Sequence, residues 1–116
     1  MLYVTTGILE NTAIAGVRPT STADLRITND GLINDMVQII GFYIEGTTKV
    51  QYVSEIITIE PGGALYRSYY ANFDAFEFQF MTVNNSIQIS VWGKDANNNL
   101  NPAHRVLPSE LNAIPL

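Results

Sequence analysis

The sequence predicts an all-β domain: an antiparallel β-sandwich, jelly-roll-like, with an extended N-terminal arm. Three observations carry this. Apolar residues recur at every second position in several runs, which marks half-buried strands. Turn signals built on Gly, Pro, Asn and Asp separate the runs at intervals of about 8–12 residues, the spacing of sandwiches and antiparallel barrels. No stretch carries the apolar repeat of an amphipathic helix above this pattern.

The division expected is an N-terminal connector arm over 1–19 and a β-sandwich domain over 20–116. In the arm, Leu2-Tyr3-Val4-Thr5 is strand-prone, Gly7 and Gly16 loosen the chain, and Arg18-Pro19 stiffens its junction with the domain. Two readings stay open. The segment is an ordinary first strand of the sandwich, or it pairs with a neighbouring subunit through Leu2, Tyr3, Val4, Thr5, Ile8 and Leu9. A lone strand leaves backbone donors and acceptors unpaired and so invites pairing in trans.

The domain starts with a strand over 22–29, with Leu25 and Ile27 inward, closed by Asp30-Gly31. Runs 36–45 and 49–60 form a hairpin around Gly46-Thr47-Thr48 and end at Pro61-Gly62-Gly63. Alternation puts Val53, Ile57 and Ile59 on one face, with Glu55 as the odd member. Residues 64–70 make another strand. Next, Phe76, Phe78 and Phe80 form a core stripe, while Glu77 and Gln79 face solvent. Ile87, Ile89 and Val91 alternate with Gln88, Ser90 and Trp92. Asn84-Asn85-Ser86 between these two runs reads as the loop of a second hairpin. A short strand over 104–107 and a single turn at 109–111 complete the chain.

A length of 116 residues with 47 % hydrophobic and 15 % charged residues suits one domain with a real core. Cysteine is absent, which removes disulfides, thiolate nucleophiles and Cys-based metal sites. A net charge of -5 disfavours nucleic acid, whose phosphates need a basic footprint. No apolar window reaches the ~20 residues that span a bilayer. Residues 1–17 lack the cationic head and unbroken apolar run of a secretory signal. No signal peptide and no membrane partner are therefore expected.

Catalytic constellations are weak. His104 is the lone histidine, and no strand–turn–helix elbow surrounds a serine that would complete a triad with Asp95 or Asp24. Asp95-Ala96-Asn97-Asn98-Asn99 opens like a calcium loop, then fails at Leu100 and Val106, where glycine and a bidentate carboxylate are needed. Glu55 and Glu77 could pair for glycoside hydrolysis only if they faced each other across a cleft. The chain reads as a non-enzyme without cofactor or metal. Trp92, on the nominally polar face near Lys94, suits an interface or a sugar platform, with Tyr66, Tyr69 and Tyr70 as possible partners, unless both faces of its strand are covered.

Residues 75–80, 89–96 and 103–111 (Ala75 to Phe80, Ile89 to Ala96, Ala103 to Leu111) resemble small β-domains of bacillus spore-surface proteins, above all the endospore-appendage fibre subunits. The resemblance spans roughly 20–111 and rests on strand-and-turn patterns of moderate specificity. It implies a jelly-roll-like subunit, a flexible N-terminal connector at 2–9, head-to-tail stacking into fibres, and anchor and tip proteins at the spore surface. It also implies release by mother-cell lysis rather than secretion. Better-known appendage subunits carry cross-linking cysteines; here any fibre must rely on strand pairing and packing. The function expected is a self-assembling filament subunit. The alternative is a non-catalytic binding module that takes carbohydrate or a collagen-like spore-surface partner through Trp92 and surface tyrosines.

Overall fold

Residues 1–115 are described by a computed structural model. The strands are β1 (Leu2–Thr5), β2 (Leu9–Glu10), β3 (Thr22–Asn29), β4 (Asp35–Glu45), β5 (Thr48–Ile59), β6 (Ala64–Tyr70), β7 (Ala75–Thr82), β8 (Ile87–Lys94), β9 (Leu100–Val106) and β10 (Asn112–Ala113). One 3-10 turn, Pro108–Glu110, precedes β10. Two antiparallel sheets pack face to face as a β-sandwich. The first runs β10-β1-β7-β4-β5, with β2 extending β1 along β7; the second runs β6-β3-β8-β9. The molecule measures 48 × 30 × 22 Å.

Period-two alternation explains the core. Phe76, Phe78 and Phe80 are fully buried and meet Leu25, Ile27, Ile89 and Val91 of the second sheet. Each large apolar side chain so buried contributes about 1.5–3 kcal/mol relative to exposure. The β4–β5 hairpin forms as expected, and the 22–29 and 64–70 strands pair with each other in the second sheet.

The hairpin expected across Asn84-Asn85-Ser86 does not form. Strand β7 pairs with β1, β2 and β4, whereas β8 pairs with β3 and β9, so the connection crosses from one sheet to the other. Both strands aim an apolar face at the same core from opposite sides. Alternation looks identical for strands that pair laterally and strands that face across about 10 Å. Buried Asp35 holds the crossing: its Oδ1 accepts from the backbone N–H of Val83 (3.2 Å) and Asn84 (3.1 Å).

Glu77 departs from the expectation, while Glu55 lies on the face alternation gave it and finds its partners in the other sheet. Glu77 is buried rather than solvated, because Lys49, Thr5 and Gln79 close over it on the outer face of the first sheet. Glu55, the odd member of its apolar face, points between the sheets from the edge strand β5. There it accepts from Tyr69 and Arg67 of β6, with Arg67 Nε at 3.1 Å, and clips the open side of the sandwich.

Each end of the sandwich is pinned by a buried asparagine. Asn29 donates to the carbonyls of Ile59 (2.8 Å) and Ile33 (2.9 Å) and accepts from Gly31 N–H (2.9 Å). At the opposite end, Asn11 donates to the carbonyls of Thr20 (2.8 Å), Phe73 (3.0 Å) and Ala71 (3.2 Å) and accepts from Thr20 N–H (2.9 Å). These bonds satisfy loop backbone groups that would otherwise be buried unpaired.

Candidate functional site

Within a single chain, residues 2–10 do not extend away from the domain; they lie in the first sheet. Tyr3 pairs with Met81 and Val4 with Phe80, while Val4 and Thr5 also pair with Ala113 and Asn112 on the other side. Apolar content is the cause. Val4 is buried in the core, Leu2 and Leu9 pack against it, and β7 has an open edge of matching polarity. Tyr3 donates to Gln79 Oε1 at 2.8 Å and Thr5 donates to Glu77, so the outward side chains are also engaged. Ile8 is exposed.

After β2 the chain leaves the sheet. Residues 12–17 are exposed and form a small turn in which Ile14 and Val17 exchange backbone hydrogen bonds at 2.8 and 3.1 Å. Its central residues Ala15 (φ 51°) and Gly16 (φ 80°) both adopt the left-handed conformation that a tight two-residue turn requires. The loop is held at its ends by Asn11, by an exposed Arg18–Asp74 pair (3.0 Å), and by His104.

The second candidate region lies on the outer face of the second sheet. A pocket of about 370 Å³ is lined by Asp24 and Arg26 of β3, Tyr66 of β6, Trp92 and Lys94 of β8, and Asn98 with Leu100 at its lip. Register explains the grouping. Asp24 sits opposite Trp92 and Ser68, and Arg26 opposite Tyr66, so alternate residues of three strands converge. Asp24 is buried and accepts from Lys94 Nζ (2.7 Å), Tyr66 Oη (2.7 Å) and Ser68 Oγ (2.8 Å). Burial alone would raise its carboxyl, but these three donors outweigh that and hold it below the usual carboxylate range. The Arg26 guanidinium lies 4.6 Å from the Tyr66 ring centroid, and that of Arg105 lies 5.7 Å from Trp92.

Trp92 is thus half-buried on the polar face where alternation put it. Tyr66 joins it, but Tyr69 turns inward against Phe78 and Glu55, and Tyr70 packs on Phe73 at the far end of β6. The other candidates separate. His104 lies on the edge strand β9, buried, and contacts Thr20 Oγ1 and the Glu10 carbonyl rather than Asp95 or Asp24. Glu55 and Glu77 point to opposite faces of the first sheet. Asp95 Oδ1 accepts from the backbone N–H of Asn97 and Asn99, both at 2.9 Å, and so closes its own loop. The composite pocket escaped sequence reasoning because its residues come from three strands whose lateral order was not legible.

No protein-family model and no curated protein matches the chain. Several solved structures align with the chain. A Thermotoga maritima protein, designated 1070, aligns with TM-score 0.50 and 14 % identity over 97 % of this chain and 90 % of its own. The Anabaena sensory rhodopsin transducer aligns with TM-score 0.49 and 13 % identity over 78 % and 94 %, respectively. At 14 % identity the likeness to the Thermotoga protein is one of fold alone.

Proposed function

We propose that this chain is the structural subunit of a non-covalent spore-surface filament of the endospore-appendage kind, each copy donating β1 to the sheet of the next. The observation that carries the reading is the slot along β7. It is filled by the short strand β1, joined through β2 and an exposed loop to the rest of the domain. The same slot in a neighbouring copy offers identical hydrogen bonds and the same pocket for Val4, so exchange sacrifices no contact.

Chain length restricts the arrangement. With β2 carried along beside β1 on the acceptor's β7, the linker is the nine residues 11–19, which reach at most ~30 Å when extended. That spans the 22 and 30 Å widths of the molecule but not its 48 Å length. Donor and acceptor therefore stand side by side; in the proposed fibre each copy fills the slot of the next in one direction, a heterologous contact that propagates. Without cysteine, packing and strand pairing hold the fibre, which would end on separate anchor and tip proteins.

The test uses a cross-link the natural chain lacks. Tyr3→Cys with Met81→Cys joins a directly opposed antiparallel pair, whose spacing suits a disulfide. Oxidation of assembled protein should give a ladder of covalent multimers on a non-reducing gel. A single monomer band from assembled protein overturns strand donation.

The alternative, a non-catalytic binding module, is favoured by one observation: the pocket that joins Trp92 and Tyr66.

A further inference from the structure

The outer face of the second sheet gathers positive charge in an acidic protein. Arg26, Lys94 and Arg105 lie on it with Asp24, so three cations against one carboxylate leave +2 in a chain of net charge -5. Arg18, Lys49, Arg67 and Lys94 each have a carboxylate within 3.1 Å. Arg26 and Arg105 have no such partner among the described residues, and each lies over an aromatic ring instead.

The floor of the pocket is already satisfied. Asp24 is engaged by Lys94, Tyr66 and Ser68, which fixes the Tyr66 ring and neutralises the pair. The groups left to meet a ligand are the Arg26 guanidinium, two aromatic rings and the exposed Asn98, with the Arg105 guanidinium beside Trp92 at the pocket's margin. Flat rings pack against the C–H faces of a pyranose, and a guanidinium grips a carboxylate through a two-pronged hydrogen bond. The pocket's volume is at the small end for ligand sites, which fits a short saccharide. A peptide fits less well, because the pocket opens on the face of the sheet, whereas strand addition would use the outer edges of β6 and β9 and leave the rings and Arg26 unengaged.

We propose that this pocket binds an acidic saccharide, a short hexuronate chain whose carboxylates reach Arg26 and, at the margin, Arg105, and whose rings pack on the surfaces of Trp92 and Tyr66 that the guanidiniums leave uncovered. The proposal deepens the binding-module reading and rests on it. Assembly through β1 involves the other sheet and stands or falls separately.

The experiment titrates the full chain with digalacturonate, lactose and tetraglutamate, by calorimetry and by the emission of Trp92, the lone tryptophan. Digalacturonate should bind saturably, with lactose weaker by about tenfold or more, the scale of a lost charge-assisted hydrogen bond, and tetraglutamate, which keeps carboxylates but has no pyranose to pack on the rings, weaker as well. The Arg26→Gln, Arg105→Gln double variant should lose that preference while its circular dichroism stays that of the parent; both side chains are exposed. Equal binding of lactose overturns the acidic class but leaves a sugar-binding module. Equal binding of tetraglutamate overturns the saccharide, reducing the face to a general anion patch. No response to any of the three overturns the acidic-saccharide ligand and, with it, the saccharide form of the module.

Discussion

The imidazole Nδ1 of His104 lies 2.5 Å from the Thr20 hydroxyl, while its Nε2 lies 2.6 Å from the Glu10 carbonyl. A carbonyl only accepts, so Nε2 carries the proton and Nδ1 accepts from Thr20. One side chain of β9 thereby holds both ends of the loop that leads to β1. Replacing it by alanine leaves a buried hydroxyl and a carbonyl short of partners beside a cavity. His104→Ala is expected to cost about 2–3 kcal/mol in urea unfolding. It should also speed protease cleavage within 12–17; a loop as resistant as the parent's would show that Asn11 suffices.

Gly93 stands beneath that anchor. A Cβ there would come within 2.5 Å of Thr20 Oγ1 and 2.8 Å of His104 Cβ. Overpacking of this kind costs about 1–3 kcal/mol. Gly93→Ala should lower the thermal midpoint, and a second change, Thr20→Ala, should recover part of the loss by removing the nearer obstacle. Recovery absent in the double variant would place the strain elsewhere.

The Glu77 carboxylate gives the fold an acid limb. Burial would raise its pKa, but Lys49, Thr5 and Gln79 together hold it below its ordinary value of 4.5. A group with a depressed folded pKa binds protons more readily when unfolded. Its contribution is complete above about 4.5 and disappears as pH falls through the lower folded value. Urea midpoints of the parent should therefore drop below that pH, and Glu77→Gln should show a smaller drop from a lower starting point at pH 7. Parallel curves for the two proteins would locate the acid sensitivity in other carboxylates, Asp24 first.

Deleting residues 1–18 removes Val4 from the core and bares the β7 edge. The truncated domain should unfold at lower urea and form no fibres in negative-stain micrographs. A synthetic peptide of residues 1–10 should raise its midpoint again by refilling the slot, a gain that grows with peptide concentration. Absence of any gain would mean that β1 binds only when covalently attached, and strand donation would fail with it.

Strand identity and the core stripe were legible because both are local. Alternation through Phe76, Phe78 and Phe80 dictates that one face is apolar, whatever the neighbours. Trp92 on the polar face and the Gly46 hairpin follow in the same way. Tertiary structure decided lateral order. It put β7 and β8 in different sheets, turned Glu55 into a clip between the sheets, buried Glu77 under Lys49 and set His104 against Thr20. It also laid β1 along β7 and assembled Asp24, Arg26, Tyr66 and Trp92 into one pocket. A period of two records which side of a strand meets the core. Which strand lies beside it depends on hydrogen bonds between segments distant in sequence, and those form only when the two sheets close.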